Sequence, residues 1–253
     1  MTTAIKNKIY FASDFHLGAP NDEESFKREK LIVKWLDEIK IDAQEIYLVG
    51  DIFDFWFEYK SVVPKGFIRL QGKIAELTDS GITVNVFTGN HDMWIFDYLP
   101  KELGVTVYNE PVIKEYQGKK FLIGHGDGLG PGDLKFKMVK KIFTNKFCQW
   151  AFARIHPNFG IGFAKAWSKK SRRNNIAYDE VFHGEDKEQL IVYCNEYIKK
   201  DPSIDYFIFG HRHIPIQQKV GPDAEIIILG DWITLFSYAV FEDGKMRIEY
   251  FQK

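Results

Sequence analysis

The chain has 253 residues, of which 45% are hydrophobic and 27% charged, and its formal net charge is -1 from 34 Lys+Arg against 35 Asp+Glu. That balance describes an ordinary folded globular chain and excludes disordered, collagen-like and disulfide-stapled classes. It also excludes the strongly basic surface of a general nucleic-acid binder. The two cysteines, Cys148 and Cys194, have no C-x-x-C partner, so neither a disulfide framework nor a zinc knuckle is available, and a reducing cytosol is expected. Residues 1–9 lack the apolar core of a signal peptide and no stretch approaches the length of a spanning helix. An intracellular chain that can only lie on a membrane is expected.

In chain order, Ile9–Ala12 is a short apolar run that ends at Ser13-Asp14, the pattern of a buried strand entering a polar loop. The event recurs at Ile46–Val49 before Gly50-Asp51 and at Val84–Phe87 before Gly89-Asn90-His91-Asp92. It recurs again at Phe121–Ile123 before Gly124-His125 and at Tyr206–Phe209 before Gly210-His211. Helical periodicity over Glu24–Ile39, Phe67–Thr78 and Asp186–Lys199 separates these runs. Strand and helix therefore alternate as in α/β layering, where ligands gather at the carboxyl ends of the strands. Glu225–Leu229, Thr234–Phe241 and Met246–Phe251 read as antiparallel strands and suggest a second sheet packed on the first.

One segment departs from this rhythm. Between Asp133 and Asn175 stand eleven basic residues and one acidic one, a net charge of +10 that leaves -11 elsewhere. Phe136, Phe143, Phe147, Trp150, Phe152, Phe159, Phe163 and Trp167 are interleaved at mostly helical spacing, with Pro157 expected to break the segment into two helices. One reading is an amphipathic pair whose rings are core and whose lysines are solvated. The other is a surface that meets anionic lipid headgroups or forms an apolar slot for acyl chains. Single-stranded nucleic acid could also stack on such rings, but their apolar flanks favour lipid, so no nucleic-acid partner is expected.

The chemistry lies in Asp14-x-His16, Gly50-Asp51, Gly89-Asn90-His91-Asp92, Gly124-His125 and Gly210-His211-x-His213. Alone, each Asp reads as a turn former and each His as an ordinary surface or core residue. Together they place carboxylate, imidazole and amide donors after five strands without a thiolate, a set suited to Mn, Fe or Zn. A carboxylate can bridge two cations about 3.5 to 4 Å apart, the separation at which a metal pair clamps a phosphoryl group. His156 and His183 are read as surface or loop residues, the cysteines as small buried hydrophobes, and Trp56, Trp94 and Trp232 as cleft-shaping or packing residues.

These motifs resemble the calcineurin-like metallophosphoesterase superfamily, whose D-x-H, G-D, G-N-H-[DE], G-H and G-H-x-H pattern is matched in full. The resemblance implies that Asp14, His16 and His213 hold one divalent ion, that Asn90, His125 and His211 hold a second, and that Asp51 bridges them. It also implies an α/β fold of two packed mixed sheets flanked by helices, forming one domain over 1–253 with a helical insertion over 133–175.

Ser13-Asp14-Phe15-His16-Leu17-Gly18, Gly50-Asp51-Ile52-Phe53-Asp54-Phe55-Trp56, His125-Gly126-Asp127-Gly128, Gly210-His211-Arg212-His213-Ile214-Pro215 and Leu229-Gly230-Asp231-Trp232 narrow the likeness. They are similar to the UDP-2,3-diacylglucosamine pyrophosphatases of lipid A synthesis, which release UMP and a diacylglucosamine 1-phosphate and carry a helical insertion after H-G-D. The resemblance implies Mn2+ as the metal, a lipid-linked sugar nucleotide as substrate and a peripheral seat on the cytoplasmic face of the inner membrane. It implies substrate contacts from Asn90, His91, Asp133, Ser168, Lys169, Arg172, Arg173 and His211. His91 stands where the best-known members have Arg. Oriented by Asp92, it is expected to donate a proton or to stabilise charge on phosphorus. A phosphomonoester leaving group, whose conjugate acid has a pKa of about 6, needs little protonation, so His91 is compatible with this chemistry. Two alternatives remain: a metallophosphoesterase of soluble nucleotides or nucleic acid, and a non-catalytic scaffold on the same fold. The sequence leaves the oligomeric state open.

Overall fold

The apolar runs become strands that are buried on both faces, and this is why they read as unbroken hydrophobic stretches instead of alternating ones. The computed structural model describes residues 6–132, 134–179 and 181–251. Its first part is β1 (Lys8–Ala12), α1 (Asp22–Ile39), β2 (Ala43–Val49), α2 (Ile68–Asp79), β3 (Thr83–Phe87), α3 (Tyr98–Leu103) and β4 (Thr106–Tyr108), with all four strands parallel. Then come the hairpin β5 (Val112–Tyr116) and β6 (Lys119–Gly124), and the inserted helices α4 (Leu134–Thr144), α5 (Lys146–Phe152) and α6 (Pro157–Asp179). The chain closes with α7 (Gln189–Ile198), β7 (Tyr206–Phe209), β8 (Pro215–Val220), β9 (Ala224–Leu229), β10 (Ser237–Glu242) and β11 (Lys245–Tyr250).

Among the described residues these strands form a six-stranded sheet, β11-β10-β1-β2-β3-β4, and a five-stranded sheet, β5-β6-β7-β9-β8. The two face each other across Ile9, Phe11, Tyr47, Phe121, Ile208, Ile227 and Phe241. The alternate residues Tyr10, Ala12, Ile46 and Leu48 turn the other way and pack on Trp35, Leu36, Leu70 and Ile74 of α1 and α2. Phe207 and Phe209 likewise pack on Leu190, Ile191 and Cys194 of α7. The two-residue side-chain period of a strand thus feeds three apolar layers from two sheets, giving a helix–sheet–sheet–helix stack. α1 starts where expected because Asn21 caps it, its side chain accepting from the Glu24 amide at 2.9 Å, with Asp22, Glu23 and Glu24 in the first turn.

Three expectations need correction. The tail does not form its own sheet: β9 lies parallel to β7 in the second sheet, whereas β10 and β11 extend the first. The chain crosses between sheets at Asp231, whose carboxylate accepts from the amides of Ile233 and Thr234, both at 2.7 Å. The insertion is three helices, because Asn145 caps α5 and Pro157 occupies the first position of α6, where its missing N–H costs nothing. Cys194 is buried but Cys148 is only half-buried. No described helix is long and apolar enough to cross a membrane.

Candidate metal centre

The loops that leave β1, β2, β3, β6 and β7 converge at one end of the stack. They are joined beyond the sheets by backbone bonds, Asp14 N donating to Gly50 O at 3.1 Å, His16 N to Asp51 O at 2.9 Å and Gly210 N to His125 O at 3.0 Å. Asp14, His16, Asp51 and His211 all have positive φ, between 43° and 67°. Side-chain-bearing residues enter this region at a cost of about 1 kcal/mol or more each, and such strain concentrates at functional sites.

The motif glycines are explained by the same crowding. A Cβ on Gly50 would stand 2.4 Å from His125 Nδ1, one on Gly89 2.2 Å from Asp51 Oδ1, and one on Gly210 2.7 Å from Asp14 Oδ2. Each glycine is the floor on which another motif's side chain rests.

Asp14, His16 and His213 bring their donor atoms together, with His16 Nε2 and His213 Nε2 each 3.6 Å from Asp14 Oδ1. Asn90, His125 and His211 form a second set: Asn90 Oδ1 lies 2.9 Å from His211 Nδ1 and 3.3 Å from His125 Nε2. Asp51 Oδ2 stands between them, 3.7 Å from His16 Nε2 and 3.4 Å from His125 Nε2. Its Oδ1 is held by the His91 amide at 2.8 Å. Thus one oxygen of Asp51 is anchored and the other faces both donor sets. Asp14 Oδ1 is buried with no hydrogen-bond partner in the protein. A buried carboxylate oxygen facing two imidazole nitrogens calls for a cation. The oxygen and nitrogen donors fit a hard or borderline divalent ion.

The electrostatics agree. Burial pulls the His125 imidazole down, but Asp51, with Asp14 and Asp127 behind it, outweighs burial and pushes it up to about 10. The pocket therefore demands a positive charge at Nε2, which a divalent ion satisfies as well as a proton. His125 Nδ1 donates to Val49 O at 2.8 Å, which leaves Nε2 to coordinate. Burial pulls His211 down to about 3 and His91 to about 4, so both rings are neutral, the form that can coordinate or accept a proton.

Asp92 does not orient His91. Its Oδ2 accepts from Ile52 N at 2.8 Å and Phe53 N at 3.2 Å, and its Oδ1 from Gly89 N at 2.7 Å. Burial, then Asp51, push this carboxyl up to about 7 while the Gly89 and Phe53 amides pull against them. It is a strut between two ligand loops. Instead, His91 Nδ1 meets Ser168 Oγ at 2.8 Å, Asp54 O at 3.2 Å and Asp54 Oδ1 at 3.6 Å. Three facing oxygens assign the ring proton to Nδ1.

Above the cluster is a cavity of about 680 Å³. His16, Asp51, Asn90, His91, His211 and His213 are at its floor, and Phe55, Trp94, Phe143, Phe152, Phe163 and Trp167 supply apolar wall. Ser168 and Arg172 line it between these zones. Lys169 is exposed and lies outside the cavity lining, because it follows Ser168 on α6 and so stands about 100° further round the helix. Asp133 and the side chain of Arg173 lie outside the described residues. Trp56 and Trp232 are core residues, whereas Trp94 lines the cavity and donates its indole N–H to Phe143 O at 2.7 Å. Sequence reasoning missed Asp54, which stands among His16, His91 and Arg172. Its position three residues after Asp51 in a strand-end loop was the available signal.

The profile of the calcineurin-like phosphoesterase family matches residues 7–215. The chain is 38% identical to a UDP-2,3-diacylglucosamine hydrolase of Porphyromonas gingivalis over 97% of this chain and 98% of that one. It is 26% identical to a protein of the same name from Histophilus somni, covering 89% of this chain and 92% of that one. To another from Aeromonas salmonicida it is 24% identical, covering 94% and 91%.

Proposed function

Because this chain belongs to the calcineurin-like phosphoesterase family, we propose that it is a metal-dependent hydrolase that cleaves the pyrophosphate of UDP-2,3-diacylglucosamine to UMP and 2,3-diacylglucosamine 1-phosphate. The observation that carries this reading is the junction of a double donor set, shared by Asp51 Oδ2, with a large cavity walled by aromatic side chains. A soluble nucleotide has no use for such a wall, whereas acyl chains gain about 25 cal/mol per Å² of apolar area removed from water.

In this reading Asp14, His16 and His213 hold one ion, Asn90, His125 and His211 the other, and Asp51 both, with Mn2+ as the metal. When bound, the pair neutralises phosphoryl oxygens and acidifies water. The protein's own residues do the rest. His91, neutral and held through Nδ1 by Asp54 and Ser168, presents Nε2 as a proton acceptor or, once protonated, as a donor to oxygen on phosphorus. The leaving phosphomonoester needs little help, so a neutral imidazole suffices where an alkoxide would need an acid. Ser168 and Arg172 meet the sugar phosphate, the guanidinium by paired N–H donors. Phe147, Trp150 and Phe159, 72%, 53% and 76% exposed, are the apolar part of a basic face that would seat the enzyme on anionic lipid.

The deciding experiment is release of UMP from UDP-2,3-diacylglucosamine by the purified protein with Mn2+. The expected result is turnover that is absent in Asp51→Ala. Hydrolysis of aryl phosphodiesters with none of the lipid nucleotide would overturn the substrate, and no hydrolysis of either would favour the scaffold.

A further inference from the structure

α6 meets the metal centre at two points one helical turn apart. Ser168 Oγ lies 2.8 Å from His91 Nδ1, and four residues on, on the same face, the Arg172 guanidinium contacts the Asp54 carboxylate. Asp54 is the fixed member of that pair. Its amide donates to Leu17 O at 2.9 Å, and its carbonyl lies 3.2 Å from His91 Nδ1. The carboxylate Oδ1 is 3.7 Å from His16 Nδ1, a buried ring nitrogen with no hydrogen-bond partner. The Asp54 and Arg172 side chains are only 8% and 12% exposed. A carboxylate and a guanidinium this far removed from water hold one another firmly, because separating them strands a desolvated charge. One carboxylate therefore faces α6, His91 and the first ligand loop together.

We propose that Asp54 is a positioning residue that latches α6 over the metal centre: by holding Arg172 it keeps Ser168 against His91, so that the closed helix and the orientation of His91 form one unit. A substrate phosphate then meets a guanidinium that is already aimed, with N–H donors left over from its bond to Asp54. The role of His91 in turnover rests on the proposed function, but the latch itself does not.

The test compares amide hydrogen exchange in the full-length Mn2+-loaded protein, in Asp54→Asn, in Arg172→Gln and in the double variant. Each single change is expected to speed exchange across 157–172 by about tenfold, and the double no further, since both remove one bond. Unchanged exchange in Arg172→Gln, or additive effects in the double variant, overturns the latch. In the same samples the metal content of Asp54→Asn should equal that of the parent. A lower content overturns the proposal by assigning Asp54 to the support of His16 instead. In UMP release, Asp54→Asn is expected to lower kcat more than it raises KM, as loss of His91 orientation requires. The reverse split points to a binding role and overturns the positioning one. Failure of the parent protein to release UMP would sink the proposed substrate while the exchange comparison still decides the latch.

Discussion

Asp92 Oδ2 accepts the backbone N–H of Ile52 at 2.8 Å, and through this bond the loop after β3 is tied to the loop after β2. Phe53 N and Gly89 N complete a three-amide cradle around a side chain that is fully buried. Asn in place of Asp sets an NH2 group against donors. The Asn oxygen can still accept from Ile52 and Phe53, but the Gly89 N–H is left facing a donor, and a buried donor left unsatisfied costs about 1 to 3 kcal/mol, so Asp92→Asn should cost about 2 kcal/mol of stability. Thermal unfolding should show that loss, while the pH–rate profile of any residual activity keeps its shape. A lost limb in that profile would restore Asp92 to the proton-handling role that the sequence suggested.

The glycines before the ligands give a sharper contrast. Gly89→Ala puts a Cβ 2.2 Å from Asp51 Oδ1, so either the carboxylate or its loop must move, and metal content should fall well below that of the parent. Gly72, inside α2, has nothing within 4 Å of its own Cβ position. Gly72→Ala should therefore stabilise by about 0.5 to 1 kcal/mol with metal content unchanged. Elemental analysis and melting curves on the two variants check both signs.

Strand ends carrying ligands were legible in the sequence because parallel strands buried on both faces leave an uninterrupted apolar run that a glycine and a polar ligand then stop. β5 and β8 were not, since Val112–Tyr116 and Pro215–Val220 are edge strands of alternating exposure, with Ile113, Glu115, Gln217 and Lys219 facing water. β4 is three residues long and carries too little pattern. The tail strands were visible, but nothing in their spacing says that Asp231 sends the chain from one sheet to the other. At the site, the residues that converge could be named from the motifs. The partners of His91 could not: Ser168 is 77 residues away and meets it only because Phe143 and Phe152 anchor the insertion on Trp94.

Metal removal should destabilise the protein, because Asp14 and Asp51 are 0% and 2% exposed and lose the cation that balances them. An ion held a thousandfold above its Kd adds about 4 kcal/mol to the native state, so chelation should lower Tm by roughly 10 °C. Asp51→Asn removes a buried charge and so reverses the order. In chelator the variant should melt at or above the parent, and in excess Mn2+ below it. Scanning calorimetry under the two conditions tests the inversion, and a variant less stable in both would mean that the bond from the His91 amide and the pairing with His125 outweigh the cost of the buried charge.

Cys194 is buried among Leu190, Ile191, Phe207 and Phe209, and burial pushes its thiol well above the ordinary cysteine range. Cys148, on α5, is half-buried. Since the thiolate is the reactive form, a disulfide reagent should titrate one thiol per native chain and both only after denaturation. Mass mapping of the native adduct to Cys194 would contradict the packing of α7 described above.

The aromatic residues of the insertion divide into two faces with different consequences. Phe143 and Phe152, half-buried, pack on Phe57 and Trp94, so Phe152→Ala should lower stability by about 2 kcal/mol, less than the removal of a fully buried ring costs. Phe147 and Trp150 stack on one another at 5.7 Å between ring centroids but remain exposed, with the Arg154 guanidinium 4.7 Å from the Trp150 ring. Replacing both by Ser should leave Tm within about 1 °C, because surface substitutions shift stability by less than 0.5 kcal/mol. It should also weaken partitioning onto vesicles with anionic headgroups by roughly tenfold or more, since each ring carries about 1.5 to 3 kcal/mol of apolar burial when fully inserted. Sedimentation with vesicles at low and high salt separates this apolar contribution from that of the neighbouring lysines, which alone should weaken as salt rises. Equal binding by the parent and the double variant at high salt would show that this face does not enter the lipid.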